Sequence, residues 1–307
     1  MPLDPQAKTM IELLDALGFG AMTPETNPDD LRALMNDSLV PSDVEVASVE
    51  NRMVPGPDGD VPVRVYRPAG VAPKPIIVFF HGGGWVLGSL ETHDNTARML
   101  AGEIDAVLVS VDYRLAPEFP FPAAVVDSYA ALAWAHDHAT EIGGDPSRIV
   151  VAGDSAGGNL AAVMAQIARE QGPSVCFQLL IYPVADHEFT SRSMEDNAEG
   201  YFLTRYAMQW FFGHYLNDAT EGDDARVSPS RAADLTGLPP AFVLTMEYDP
   251  LRDQGVAYAA AMQAAGNTVH AKTYAGLFHG CFGMGALIEA ANAPVADAVA
   301  AVRAAVA

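Results

Sequence analysis

The stretch Arg148-Ile149-Val150-Val151-Ala152-Gly153-Asp154-Ser155-Ala156-Gly157-Gly158 decides the fold. Its first part is short, apolar and rich in β-branched residues, the texture of a buried strand. After it, Asn159 to Ala168 is Ala-rich and long enough for a helix. Between the two sits a serine flanked by glycines, the G-x-S-x-G pattern of a nucleophile elbow. Such a turn is sharp and strains the serine backbone, so its neighbours must be tiny, as Gly153 and Gly157 are. The helix that follows sets the positive end of its dipole under the serine. The same five residues also make an ordinary tight turn in other settings; a strand before and a helix after favour the elbow.

Working outward, apolar strands alternate with helices on both sides of this turn. Strands are expected at 44–53, 61–67, 75–80, 106–111, 177–181, 241–246 and 268–274, with helices around 92–101, 123–138 and 295–306. That alternation means an α/β fold, a mostly parallel sheet covered by helices on both faces. Residues 1–50 read as a separate helical part. Pro5 to Leu17 carries Met10, Leu13, Leu14 and Leu17 at helical spacing, and Asn27-Pro28-Asp29-Asp30 has the chemistry of a second helix start. A further segment, 188–217, interrupts the strand–helix alternation. There Thr204 caps an aromatic helix, Arg205 to Leu216, apolar on more than one face, which reads either as a core helix or as a lid over an apolar cleft. The expected organisation is therefore a catalytic α/β domain at 51–187 and 218–307, with 1–50 and 188–217 forming a helical cap.

A serine hydroxyl becomes a useful nucleophile only when a base removes its proton and a third group orients that base. On an α/β sheet the order is Ser, Asp or Glu, then His, each past the C-terminal end of a strand. Asp249, after the strand Ala241–Met246 and before Pro250, is the acid candidate, with Glu247 and Asp253 behind it; its other reading is a helix N-cap. His279, in the loop Gly276-Leu277-Phe278-His279-Gly280, alone among the histidines follows the acid, lies past a strand and is flanked by glycine. His270 falls within a strand, His136 and His138 in a helix before Ser155, and His187 and His214 in the suspected lid. His81-Gly82-Gly83-Gly84-Trp85, after the strand Pro75–Phe80, allows backbone N–H groups to converge on a developing oxyanion, and Ala156 N–H adds another donor. The loop lacks the Gly-Lys-Ser/Thr ending of a phosphate cradle and the spacing of a dinucleotide fingerprint.

Together these residues resemble the hormone-sensitive-lipase family of bacterial esterases (family IV) within the α/β-hydrolase fold. The resemblance spans His81–Trp85, Asp112-Tyr113-Arg114-Leu115-Ala116-Pro117-Glu118, Gly153–Gly158, Asp249-Pro250-Leu251-Arg252-Asp253 and His279-Gly280, with aspartate before the serine as in one subgroup. It implies Ser155 as nucleophile, His279 as general base and acid, Asp249 as orienting carboxylate, and an oxyanion hole of Gly83, Gly84 and Ala156. It implies that His81 and Asp112-Tyr113-Arg114 support the glycine loop, and that the cap shapes the substrate pockets, for which Trp85, Leu203, Met208 and Phe212 are the expected contacts. Two positions depart from the family pattern. Gln254 stands where glutamate is common, and Cys281 where phenylalanine is, which raises the expectation of altered pocket polarity or thiol-sensitive activity.

Composition narrows the alternatives. A formal net charge of −22 argues against nucleic acid and anionic membranes as partners. No apolar run is long enough to span a bilayer, so no stable membrane insertion is expected. The N-terminus shows no signal peptide, and only Cys176 and Cys281 are present, which favours cytoplasmic residence and excludes a Cys-rich metal site. The expected activity is a cofactor-free, metal-free carboxylesterase on small, short-to-medium acyl esters, as a monomer or homodimer. An amidase or deacetylase using the same triad is the first alternative; a non-catalytic small-molecule binding protein is the second.

Overall fold

The computed structural model describes residues 1–19, 22–39, 41–71 and 73–307; residues 20, 21, 40 and 72, three of them within the expected N-terminal cap segment, lie outside it. Eight strands form one sheet: β1 (Ser48–Val54), β2 (Val61–Arg67), β3 (Lys74–Phe80), β4 (Val107–Val111), β5 (Gly144–Asp154), β6 (Phe177–Ile181), β7 (Ala241–Tyr248) and β8 (Val269–Phe278). Their order across the sheet is β1-β2-β4-β3-β5-β6-β7-β8. The β1–β2 and β2–β4 pairs are antiparallel, and every other pair is parallel. The helices are α1 (Pro5–Ala16), α2 (Pro28–Asp37), α3 (Asp94–Ile104), α4 (Ala123–Asp137), α5 (Ala139–Ile142), α6 (Ala156–Gln171), α7 (Arg192–Asp196), α8 (Arg205–Tyr215), α9 (Arg252–Ala264) and α10 (Asn292–Ala305).

The two-residue period of a strand sends alternate side chains to opposite faces. In β5, Ile149 and Val151 enter one core, shared with α4, α6, α8 and α9; Val150 and Ala152 enter the other, shared with α1, α3 and α10. In β3, Ile76, Val78 and Phe80 go to the first core, Ile77 and Phe79 to the second. A strand with both faces buried reads as a continuous apolar run, which is why β3 and β5 carry no polar alternation.

The strand order reverses about β3. The chain leaves β3 through α3 to β4 on one side, then returns through α4 to β5 on the other. Loops leaving adjacent strands at such a reversal diverge and open a crevice at the carboxyl ends. Phe80 pairs with Gly153, so the glycine loop after β3 and the serine turn after β5 emerge side by side. The sheet starts at Ser48, within the strand expected at 44–53, and Pro250 precedes a helix that begins two residues later at Arg252.

Candidate active site

Three strands end one residue short of a reactive side chain: β5 at Asp154 before Ser155, β7 at Tyr248 before Asp249, and β8 at Phe278 before His279. Ser155 occupies φ 56°, ψ −118°, a conformation L-residues rarely adopt, and its strain persists because the surroundings leave no alternative. Its N–H donates to Ile181 O at 2.9 Å, and its carbonyl accepts from Asn159 N at 3.0 Å and Val184 N at 3.2 Å. A Cβ on Gly157 would overlap the Phe80 carbonyl, and one on Gly153 would overlap the Gly157 carbonyl. The elbow therefore needs both glycines for close approach of backbone to backbone.

His279 Nε2 lies 2.9 Å from Ser155 Oγ, and His279 Nδ1 lies 2.8 Å from Asp249 Oδ2. A carboxylate only accepts, so Nδ1 carries the proton and Nε2 presents its lone pair to the serine hydroxyl. All three residues are buried. Asp249 satisfies both readings of its sequence position at once: Oδ2 serves His279, while Oδ1 accepts from Leu251 N at 2.8 Å at the entrance to α9. Tyr182 packs its ring, tilted, 4.5 Å from that of His279.

The glycine loop is held from below. Gly82 N–H donates to Asp154 Oδ1 at 3.0 Å, Tyr113 Oη donates to His81 O at 2.7 Å, and the His81 and Tyr113 rings stack at 4.3 Å. Burial drives His81 down to about 3, so it is neutral, with its Nδ1–H on Gly82 O at 2.7 Å. Arg114 instead clasps Asp127 and reaches Asp58, away from this loop. Gly83 (φ 112°) and Gly84 (φ 61°) sit in the left-handed region, and a Cβ on Gly84 would enter the Phe211 ring. Among the described residues the N–H groups of Gly83, Gly84 and Ala156 donate to no backbone or side-chain acceptor. Gln254 Oε1 accepts from Ala185 N and Asp186 N at 2.7 and 2.9 Å, a task a glutamate carboxylate performs equally well.

A cavity of about 410 Å³ opens over Ser155 and His279. Leu14, Leu31 and Met35 line it from the N-terminal helices, and Leu203, Met208 and Phe211 from α8 and the turn before it. Leu203 and Met208, two of the four expected contacts, thus face the cavity. Trp85 and Phe212 do not: neither lines the cavity. The positive φ of Trp85 (61°) turns its indole away into a stack with Tyr215, ring centroids 4.3 Å apart, and Phe212 packs on that indole at 5.2 Å. Adjacent helical residues differ by about 100° around the axis, so Phe211 takes the cavity face of α8 and Phe212 the core face. Cys281 also lies outside the cavity lining; burial pushes its thiol up to about 12, which removes the thiolate that a reactive cysteine needs. Sequence reasoning missed Phe211, Phe202, Tyr182, Asp154 and His93 as cavity residues.

A profile described as the α/β-hydrolase fold matches residues 77–283. The carboxylesterase NlhH of Mycobacterium tuberculosis is 48% identical over 250 residues, covering 79% of this chain and 78% of that protein. The carboxylic ester hydrolase LipN of the same organism is 42% identical over 287 residues, 91% of this chain and 76% of LipN. The hyperthermophilic esterase of Pyrobaculum calidifontis superposes with a TM-score of 0.93 at 40% identity, over 100% of each chain. With a serine elbow at the sheet's reversal and these relatives along most of its length, the chain belongs to the α/β-hydrolase family, within its hormone-sensitive-lipase-like esterases.

Proposed function

We propose that this protein is a serine carboxylesterase that hydrolyses small esters of short-to-medium acyl chain, with Ser155 as nucleophile, His279 as general base and acid, and Asp249 as orienting carboxylate. The observation that carries the reading is the continuous hydrogen-bonded series Ser155–His279–Asp249, 2.9 and 2.8 Å, at the floor of the cavity. As an ester carbonyl approaches Ser155 Oγ, His279 Nε2 takes the hydroxyl proton and the C–O bond forms. Asp249 stabilises the imidazolium and keeps its orientation. The carbonyl oxygen becomes an oxyanion received by the N–H groups of Gly83, Gly84 and Ala156, each worth about 3–4 kcal/mol of transition-state stabilisation. His279 then returns the proton to the departing alkoxide, and a water activated by the same nitrogen releases the acid from Ser155.

The cap assignment belongs to the same proposal: 1–50 and 188–217 supply the apolar wall, and a cavity of about 410 Å³ accommodates a small ester rather than a long-chain lipid. No helix among the described residues is long and apolar enough to cross a membrane, and Cys176 and Cys281 are both free thiols, compatible with the cytoplasmic residence proposed here. A monomer or homodimer suffices, since every group in the proposed reaction comes from one chain.

The test is hydrolysis of 4-nitrophenyl esters of increasing acyl length by the parent, Ser155→Ala and His279→Ala. Activity falling with chain length, and lost by several orders of magnitude to a similar extent in both variants, is expected of residues that act as a unit. A parent inert toward every ester but active on aryl amides would move the assignment to an amidase. Undiminished hydrolysis by Ser155→Ala would end the triad reading.

A further inference from the structure

Away from Ser155, His279 and Tyr182, the side chains of the cavity wall are apolar except along one strip. Thr92, His93, Asn95 and Thr96, at the N-terminal end of α3, face it together with Asp154. Asp154 is nine-tenths buried. Its Oδ1 is committed: it accepts Gly82 N–H at 3.0 Å and lies 3.4 Å from His93 Nε2. Its Oδ2 accepts no hydrogen bond among the described residues. The Thr96 hydroxyl is likewise without a partner among them, and Asn95 Oδ1 is taken by Ser42 Oγ at 2.7 Å, leaving the amide N–H groups. Burial alone would push the Asp154 carboxyl up, but His93, His81 and His279 outweigh it and hold the group below the usual range. It is therefore an anion at neutral pH, able only to accept.

Oδ2 opens to the cavity, and a bound substrate that covers a charged acceptor without offering a donor strips its solvation for nothing. The triad does not use Asp154 Oδ2, and the glycine loop needs only Oδ1. An alkyl limb pressed against the strip displaces water and returns nothing; a limb carrying a donor completes the set. The strip also continues outward. Thr92 and Asn95 line a second cavity that shares Leu14, Phe19, Met35 and Phe202 with the first and reaches Glu91. A polar track bounded by a carboxylate at each end thus runs from the nucleophile, facing an apolar wall.

We propose that this strip is a subsite for a hydrogen-bond donor, a hydroxyl or a protonated amine, on one limb of the ester, with Asp154 Oδ2 as its acceptor and Thr96 beside it. The proposal rests on the ester-hydrolase reading above and names its substrate class: esters with one apolar and one donor-bearing limb, in preference to plain alkyl esters.

The experiment compares kcat/KM within isosteric pairs, followed by release of acid. On the acyl limb, ethyl 3-hydroxybutyrate and ethyl 3-aminobutyrate are set against ethyl 3-methylbutyrate. On the alcohol limb, 2-hydroxyethyl butyrate is set against propyl butyrate. A hydrogen bond to a charged acceptor predicts that at least one donor-bearing ester exceeds its isostere by about tenfold or more. Asp154→Asn keeps an oxygen for Gly82 N–H but turns the second position into a donor, so the ratio falls to one or below. Thr96→Val, which keeps the shape, lowers the same ratio and carries the test by itself if Asp154→Asn does not fold. A larger ratio for the ammonium than for the hydroxyl assigns the charge as the recognised feature; the reverse assigns a neutral donor. Ratios at or below one in the parent, with plain esters hydrolysed, overturn this inference alone, as does a preference that survives both variants. No hydrolysis of any ester overturns the esterase reading and this one with it.

Discussion

In the proposed mechanism Asp249 serves catalysis and architecture with separate atoms. Oδ2 orients His279 and Oδ1 holds Leu251 N at the start of α9. The two roles separate under substitution. In Asp249→Asn the amide oxygen still accepts from Leu251 N, while the amide nitrogen faces His279 Nδ1 and forces the wrong tautomer. We expect kcat to fall by about 10⁴, with thermal melting almost unmoved; Asp249→Ala should lose activity and also melt several degrees lower. Circular dichroism melts beside steady-state kinetics decide it, and equal destabilisation by both variants would contradict the division of labour. At this scale the hydrogen-bonded series Ser155–His279–Asp249 was legible because each member follows a strand and falls in the expected chain order. The pocket contacts were legible only in part. Trp85 and Phe212 stand next to cavity residues in sequence, but backbone turn at one and helical phase at the other point them into the core. His93 and Asp154 carry no local signal, since their pairing joins residues 61 positions apart across the sheet reversal.

Elements were legible wherever burial on both faces makes a strand continuous and apolar. The bounds of β2 and β6 match the expectation, and β5 and β8 run longer because pairing with neighbours extends them past the apolar run. The five-residue α7 lacks any period to read, and α5 is shorter still. Helix α8 was ambiguous between core and lid because its residues divide: Tyr215 and Phe212 pack inward while Met208 and Phe211 line the cavity. Its coupling to the glycine loop is testable. Gly84 has φ 61°, and a Cβ there would enter the Phe211 ring. Gly84→Ala should therefore displace either the loop or α8, lowering kcat by about tenfold to a thousandfold, the range associated with an oxyanion donor moved from its place. Combining it with Phe211→Ala removes the collision and should recover at least part of that loss, so the double-mutant cycle is non-additive with a favourable sign. Additive losses would show that backbone strain at Gly84, not contact with α8, dominates. Helix α2 is tied to the same loop through Arg32, whose Nε donates to Val86 O at 2.9 Å and whose Nη atoms hold Glu118 at 2.6 and 2.9 Å. Since Leu31 and Met35 on α2 line the cavity, Arg32→Ala should loosen that wall and raise KM more than it lowers kcat.

Charge acts on the molecule as a whole. Seventeen basic residues face thirty-nine acidic ones, for a formal net charge of −22, so after every cation has a partner the folded state still confines a large excess of carboxylates. Self-repulsion of this kind opposes compactness. Raising salt from about 0.01 M to 1 M shortens the screening length from about 30 Å to about 3 Å, and should raise the melting temperature at pH 7. Acidification should act in the same direction for a second, local reason. Burial, with Glu91 adding to it, pushes Asp112 up to about 6 from an ordinary value of 3.8. Between those values the folded state keeps a proton that the unfolded state has released, so stability falls as pH rises through the window and is regained as pH drops. Glu118 works oppositely: hydrogen bonding to Arg32 lowers it to about 2 from 4.5, so its contribution is lost only as pH falls below 4.5. The melting temperature should accordingly rise as pH drops from 6 and peak at about pH 4 to 4.5 rather than at neutrality. Salt separates the two causes, since screening relieves long-range repulsion but leaves the burial of Asp112 untouched. In 1 M salt the gain from pH 7 to 5 should shrink without vanishing, and Asp112→Asn should remove what is left. A melting temperature that falls with salt would mean that the many arginine–carboxylate pairs outweigh the surplus charge. A pH gain in high salt that survives Asp112→Asn would assign the local effect to another buried carboxyl.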